Sequence, residues 1–168
     1  AIFLNEDLKK NSQKKLLEST KSIFEPGEYE VNNIPVQSHS VKLNTENIDE
    51  STNIYSVISE NMTICYLNEI SKISIPANVT ESIGKIDILI CISNDSSDQS
   101  VEAINSILSS VDPKILIVAE KESNQETTEI YPKLIKGLGQ TSEDAVINAN
   151  ITKTSLTDAV KVINLKKS

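Results

Sequence analysis

The sequence predicts an α/β fold, with helices packed outside a sheet, and three observations carry that prediction. Two continuous apolar runs, IDILICIS at 86–93 and KILIVA at 114–119, read as strands covered on both faces. Around them, Val101, Ile104, Ile107 and Leu108, then Ile130, Leu134, Ile135 and Leu138, recur at helical spacing. Ahead of them, the stretch from 28 to 67 alternates as strand pairs. The 168 residues suffice for a sizeable core, and no linker divides them, so a single domain over 1–168 is expected.

The elements follow in order. AIFL at the start is a strand, and 6–20 is a polar helix with a thin stripe of Leu8, Leu16 and Leu17. Ile23-Phe24 is a short strand, and Pro26-Gly27 forces a turn. EYEVNNIPVQSHSV is a strand pair broken near Asn32-Asn33, followed by a polar loop at 44–51. TNIYSVIS and MTICYL form a hairpin turning at Glu60-Asn61. The 86–93 strand, the 98–110 helix ended by Asp112-Pro113, and the 114–119 strand make a parallel crossover. A charged loop at 122–128 leads to a helix closed by Gly139. AVINANIT, 145–152, and AVKVINL, 159–165, read as two last strands in a terminal hairpin.

Composition narrows the function classes. Apolar residues make up 38% and charged residues 24%, which is the balance of a globular chain. Aromatic residues are 4% with no Trp, so the core must be Ile, Leu and Val. The formal charge is −8 and the pI about 4.7. All 16 cationic side chains are Lys. Without Arg there is no bidentate grip on phosphate, and without clustered cations no nucleic-acid partner is expected. No apolar run reaches the ~20 residues of a membrane span, so no membrane partner is expected either. Cys65 and Cys91 sit singly in apolar runs and match no disulfide or zinc spacing, which favours a reduced, cytoplasmic setting. The Asn-x-Ser/Thr strings at Asn61, Asn78, Asn94 and Asn150 are what chance gives in a chain this rich in Asn, Ser and Thr.

FEPGEYEV, Phe24 to Val31, resembles the Pro-Gly-Glu-Tyr-Glu signature of the metallo-β-lactamase-fold hydrolases, in the subgroup similar to L-ascorbate-6-phosphate lactonase. TNIYSVIS, ICYLNEI, IDILICISND, VDPKILIVAEKE and ITKTSLTDAVKVINL follow in that family's order and cover nearly the whole chain. The resemblance implies a four-layer αββα sandwich, here without its first strands, and in the family a zinc or manganese centre between the sheets. It also implies oligomers, so a homo-oligomer or a protein partner is expected.

The same resemblance locates the places where metal ligands belong. The family's His-x-His-x-Asp-His stretch falls on NEDLKKNS, Asn5 to Ser12, where Glu6 and Asp7 are the acids and no His occurs. His39, the one His of the chain, falls near the family's middle ligand. His-Leu-Gly-Asp becomes YLNE, with Tyr66 for the imidazole and Glu69 for the bridging carboxylate. Gly-Gly becomes Asn94-Asp95, and the late ligand His becomes Glu120. A catalytic zinc needs about three protein ligands, mostly imidazoles. The resemblance therefore implies a vestigial cleft of Glu6, Asp7, His39, Tyr66, Glu69, Asp95 and Glu120, with no catalytic residue and no cofactor. Solvated loop charges are one reading of the acids. The alternative is a weakly held hard divalent cation at those carboxylates, and with it a metal-dependent hydrolase of substituted site. The expected role is a binding or assembly subunit.

Overall fold

The computed structural model describes residues 2–3, 21–43, 50–68, 73–93, 97–120, 130–138, 144 and 146–165. The expected helix at 6–20 and the loops at 44–49 and 122–128 lie outside the described residues. Nine strands are described: β1 (Ile2–Phe3), β2 (Lys21–Ser22), β3 (Gly27–Val31), β4 (Ile34–Lys42), β5 (Ser51–Ser59), β6 (Met62–Leu67), β7 (Ile88–Ser93), β8 (Ile115–Glu120) and β9 (Lys161–Asn164). Three helices join them: α1 (Ala77–Ile83), α2 (Asp98–Val111) and α3 (Ile130–Gly137). β1 and β2 pair in parallel, and β3 to β9 form one seven-stranded sheet in chain order.

The sheet changes character halfway. β3 to β6 are an antiparallel meander, whereas β6 to β9 run parallel. The meander turns twice through two-residue loops, Asn32-Asn33 (φ 53° and 63°) and Glu60-Asn61 (φ 51° and 60°). Positive φ at both central residues is the turn whose twist matches paired strands, and Asn tolerates it. Gly27 opens β3 at φ 153°, a backbone region costly for an L side chain. The Tyr29 hydroxyl donates to the Glu25 carbonyl at 2.8 Å and closes the bend around Pro26.

Period-two alternation sends the sheet's side chains to two faces, which carry three apolar clusters. On one face, Val41, Ile54, Cys65, Leu67, Leu89, Cys91, Leu116, Val118 and Val162 pack against the helices. The helices contribute Val79 from α1, Ile104, Ile107 and Leu108 from α2, and Tyr131, Leu134 and Ile135 from α3. On the other face, Met62, Ile88, Ile115 and Ile117 form a second cluster, and Ile23, Val36 and Tyr55 a third. Helix α2 is well bounded. The Ser97 hydroxyl accepts from the Ser100 amide at 3.2 Å, and Asp112 takes the left-handed cap with Pro113 beyond it.

Three elements differ from the sequence reading. α1 was not expected; it places Val79 and Ile83 one turn apart and stops at Gly84 (φ 72°). The short strand is Lys21–Ser22, and Ile23 after it is a buried core residue. The terminal hairpin does not form. β9 pairs in parallel with β8, and among the described residues 146–152 contribute a single bridge, Val146 to Leu165. Asn148 and Asn150 are exposed, and Ile147 is 60% exposed, so this stretch has no buried face to fix a register.

The chain between β2 and β3 is tied across the second face by polar groups. Tyr55 donates its hydroxyl to the Ile23 carbonyl at 3.0 Å, and the buried Asn53 amide donates to the Phe24 carbonyl. Tyr55→Phe strands that buried carbonyl, and a loss of about 1–3 kcal/mol is expected in urea unfolding at constant slope. An unchanged midpoint would mean that this segment is held by packing alone.

Candidate functional site

Parallel strands all present their carboxyl ends to one edge, and open α/β sheets place ligands there. Here that edge holds Asn68 after β6, Ser93 at the end of β7 and Glu120 at the end of β8. Ser93 and Glu120 are register partners. Because β5 runs against β6, the start of β5 and the end of β4 lie at the same edge. Ser40 pairs with Asn53, and Tyr55 with Tyr66.

Tyr66 is the expected cleft residue that the structure places best. It is half-buried on the second face beside Tyr55, with ring centroids 6.3 Å apart at 49°. A tilted pair at this distance is a favourable aromatic contact. Where the resemblance has a ligand imidazole, this chain has a packing aromatic.

His39 does not join it. His39 pairs with Ile54, whereas Tyr66 pairs with Tyr55. Neighbouring residues on a strand face opposite ways, so His39 and Tyr66 lie on opposite sides of the sheet. The expectation that both line one cleft is corrected on that ground. His39 stands on the helix-covered face, and its Nε2 is enclosed without a hydrogen-bond partner among the described residues. The Glu120 backbone ends β8 at this edge; its side chain is outside the described set. Glu6, Asp7, Glu69 and Asp95 lie outside the described residues.

The donor set does not fit an imidazole-rich zinc centre. The chain has one His, and it sits mid-strand on the helix-covered face. Both cysteines are fully buried on the helix-covered face. Burial pushes the Cys65 thiol up to about 12, and burial followed by the charge of Cys65 raises Cys91 as well. Neither offers a thiolate at neutral pH. Among the described residues no group of three or more His, Cys, Asp or Glu converges. A thiol reagent should therefore leave both cysteines unmodified in the folded chain and label both in denaturant. Fast labelling under native conditions would contradict this burial.

The perturbed carboxylate of the described residues lies at the opposite edge. Asp87 precedes β7, is buried, and was not singled out from sequence. Its carboxylate accepts the Thr63 amide at 3.0 Å and the Lys153 ammonium at 3.0 and 2.9 Å. Burial pushes its pKa up. The Lys153 and Thr63 hydrogen bonds and the charges of Lys153 and Lys85 outweigh that, so the net shift is downward from 3.8. The signal in the sequence was an acid inside an apolar run, which is tolerated only when paired. A depressed folded pKa stabilises above the unfolded value and is lost as pH falls through the folded one. Asp87→Asn should lower the urea midpoint at neutral pH, by about 1.5–3 kcal/mol for a charged hydrogen bond. The difference from the parent chain should shrink steadily below about pH 4. A gap that persists at the acid end would assign the effect to packing.

No protein-family model matches the chain, and no curated protein matches it by sequence. Solved structures match its fold. One is a protein from Thermotoga maritima, assigned to the Zn-dependent hydrolases of the metallo-β-lactamase superfamily. It is 17% identical with a TM-score of 0.65, over 88% of this chain and 73% of that one. Another is the metallo-β-lactamase fold protein YhfI from Bacillus subtilis. It is 11% identical with a TM-score of 0.53, over 97% of this chain and 61% of that one. The chain thus has the α/β metallo-β-lactamase fold, and spans less than two thirds of YhfI. No described helix is long and apolar enough to cross a membrane.

Proposed function

We propose that this chain is a metallo-β-lactamase-fold domain that works by binding or assembly rather than by metal-dependent hydrolysis. The observation that carries this reading is the position of its one imidazole. His39 faces the helices, across the sheet from Tyr66, and Tyr66, at the position where the resemblance has a ligand, packs in an aromatic pair. A two-metal hydrolytic centre needs convergent, mostly imidazole ligands and an open position for water. This chain keeps the turn of FEPGEYEV and the buried strands around that place. The order of those segments supports the lactonase-like subgroup. The role that suits such a scaffold is recognition of a second copy or of another protein, in the cytoplasm.

Elemental mass spectrometry tests this, on protein purified without chelator or a His-tag. The expected result is a folded chain with far less than one equivalent of zinc, manganese, magnesium or calcium. One or more bound equivalents, removed by chelator with a fall in Tm, would overturn the reading. It would point instead to a cation held by the acids at Glu6, Asp7, Glu69, Asp95 and Glu120. Sedimentation of the same sample at high concentration tests assembly, and a pure monomer would remove self-association.

A further inference from the structure

The strand expected at 145–152 gives way to a covering segment that runs from Val146 to β9. It crosses the second face of the sheet with little ladder of its own. One bridge, Val146 to Leu165, holds its start. Residues 147–150 are exposed. Ile151 and Leu156, both partly buried, pack on the Met62, Ile88, Ile115 and Ile117 cluster. Between this segment and the sheet lies an open groove of about 260 Å³, bordered by Ile115, Asn150, Ile151, Ser155 and Ile163. The segment is therefore not packed flush.

Within the segment, Lys153–Ser155 is a tight, self-contained turn. Thr152 donates its amide to the Ser155 hydroxyl at 2.9 Å, and Ser155 returns its hydroxyl to the Thr152 carbonyl at 2.7 Å. These bonds survive any movement of the turn as a unit. Its tie to the sheet is Lys153 on Asp87, with a second, longer contact from the Lys114 ammonium to the Asp158 carbonyl at 3.3 Å. The Lys153 side chain is 52% exposed while that of Asp87 is 7% exposed, so the pair lies at the boundary of the sheet, and lifting the turn exchanges the ammonium for water on a carboxylate that keeps the Thr63 amide. Few ladder bonds, high exposure and loose packing are the marks of a unit that opens below the global unfolding free energy.

We propose that residues 147–158 form a hinged strap, latched by Lys153 on Asp87, which opens while the sheet stays folded and uncovers the Ile88–Ile115–Ile117 face. The device is independent of whether the carboxyl-end edge binds anything. Opening lifts Ile151 and Leu156 away and leaves every pairing of the seven-stranded sheet in place.

Hydrogen exchange on the full chain, read by mass spectrometry, is the first test. Peptides within 147–158 should exchange faster than those of β7 and β8, with a weak dependence on denaturant. Equal rates and equal denaturant slopes would overturn the strap. Lys153→Met is the second test, because it keeps the stem and removes the latch. Thermolysin cleavage at Ile151 and Leu156 should rise about ten- to a hundredfold without denaturant, ahead of cleavage in β7 and β8. No rise, or cleavage that begins in the strands at the same rate, would overturn the latch. So would a variant that fails to fold, since the pair would then hold the whole sheet.

Discussion

The parallel half of this fold depends on one buried carboxylate. Asp87 bonds through its backbone to Thr63 on β6 and to Lys114 and Ile115 at the entrance of β8, each at 3.0 Å. Its side chain takes the Thr63 amide and the Lys153 ammonium. Four stretches of chain thus meet at one residue, at the amino edge of the parallel strands. A charge taken this far out of water needs hydrogen-bond partners, the Thr63 amide within the sheet and either Lys153 or water beside it. That requirement bears on where β7 begins, how β8 approaches it and where the Lys153–Ser155 turn lands. It also separates the two edges of the sheet by task. The amino edge carries these structural polar bonds, and the carboxyl edge carries Asn68, Ser93 and Glu120.

Much of the fold was legible because local rules and burial agreed. Asn32-Asn33 and Glu60-Asn61 marked both hairpin turns, and the apolar runs at 86–93 and 114–119 marked strands covered on both faces. α2 carried both an apolar stripe and a stop at Asp112-Pro113. α1 was missed because seven residues with one buried position, Val79, show too little periodicity. The stretch 145–152 was misread for the opposite reason. AVINANIT alternates well enough to mimic a strand, but alternation counts only where one face is buried, and Ile147 is 60% exposed.

The site was legible as a list of positions and not as a geometry. The resemblance could set Tyr66 against a ligand imidazole, and the sequence shows that His39 is the chain's one His. It could not say which face each takes, because that depends on the register across two strand pairs. One residue of register decides it, and the observed pairing puts them apart. The buried polar anchors, Asn53 and Tyr55, were hidden for a related reason. Their partners are the carbonyls of Phe24 and Ile23, about thirty residues away, and no local pattern announces such a bond.

β3 closes one side of the seven-stranded sheet with its outer backbone unpaired by any described strand. It is short, begins with Gly27, and sets Glu28 and Glu30 on its exposed side, opposite a strand that carries Pro35. Two such edges brought together would juxtapose like charges with few bonds to offset them. The same Gly-Glu-Tyr-Glu run that resembles the family signature therefore discourages the sheet from extending into its own kind through β3.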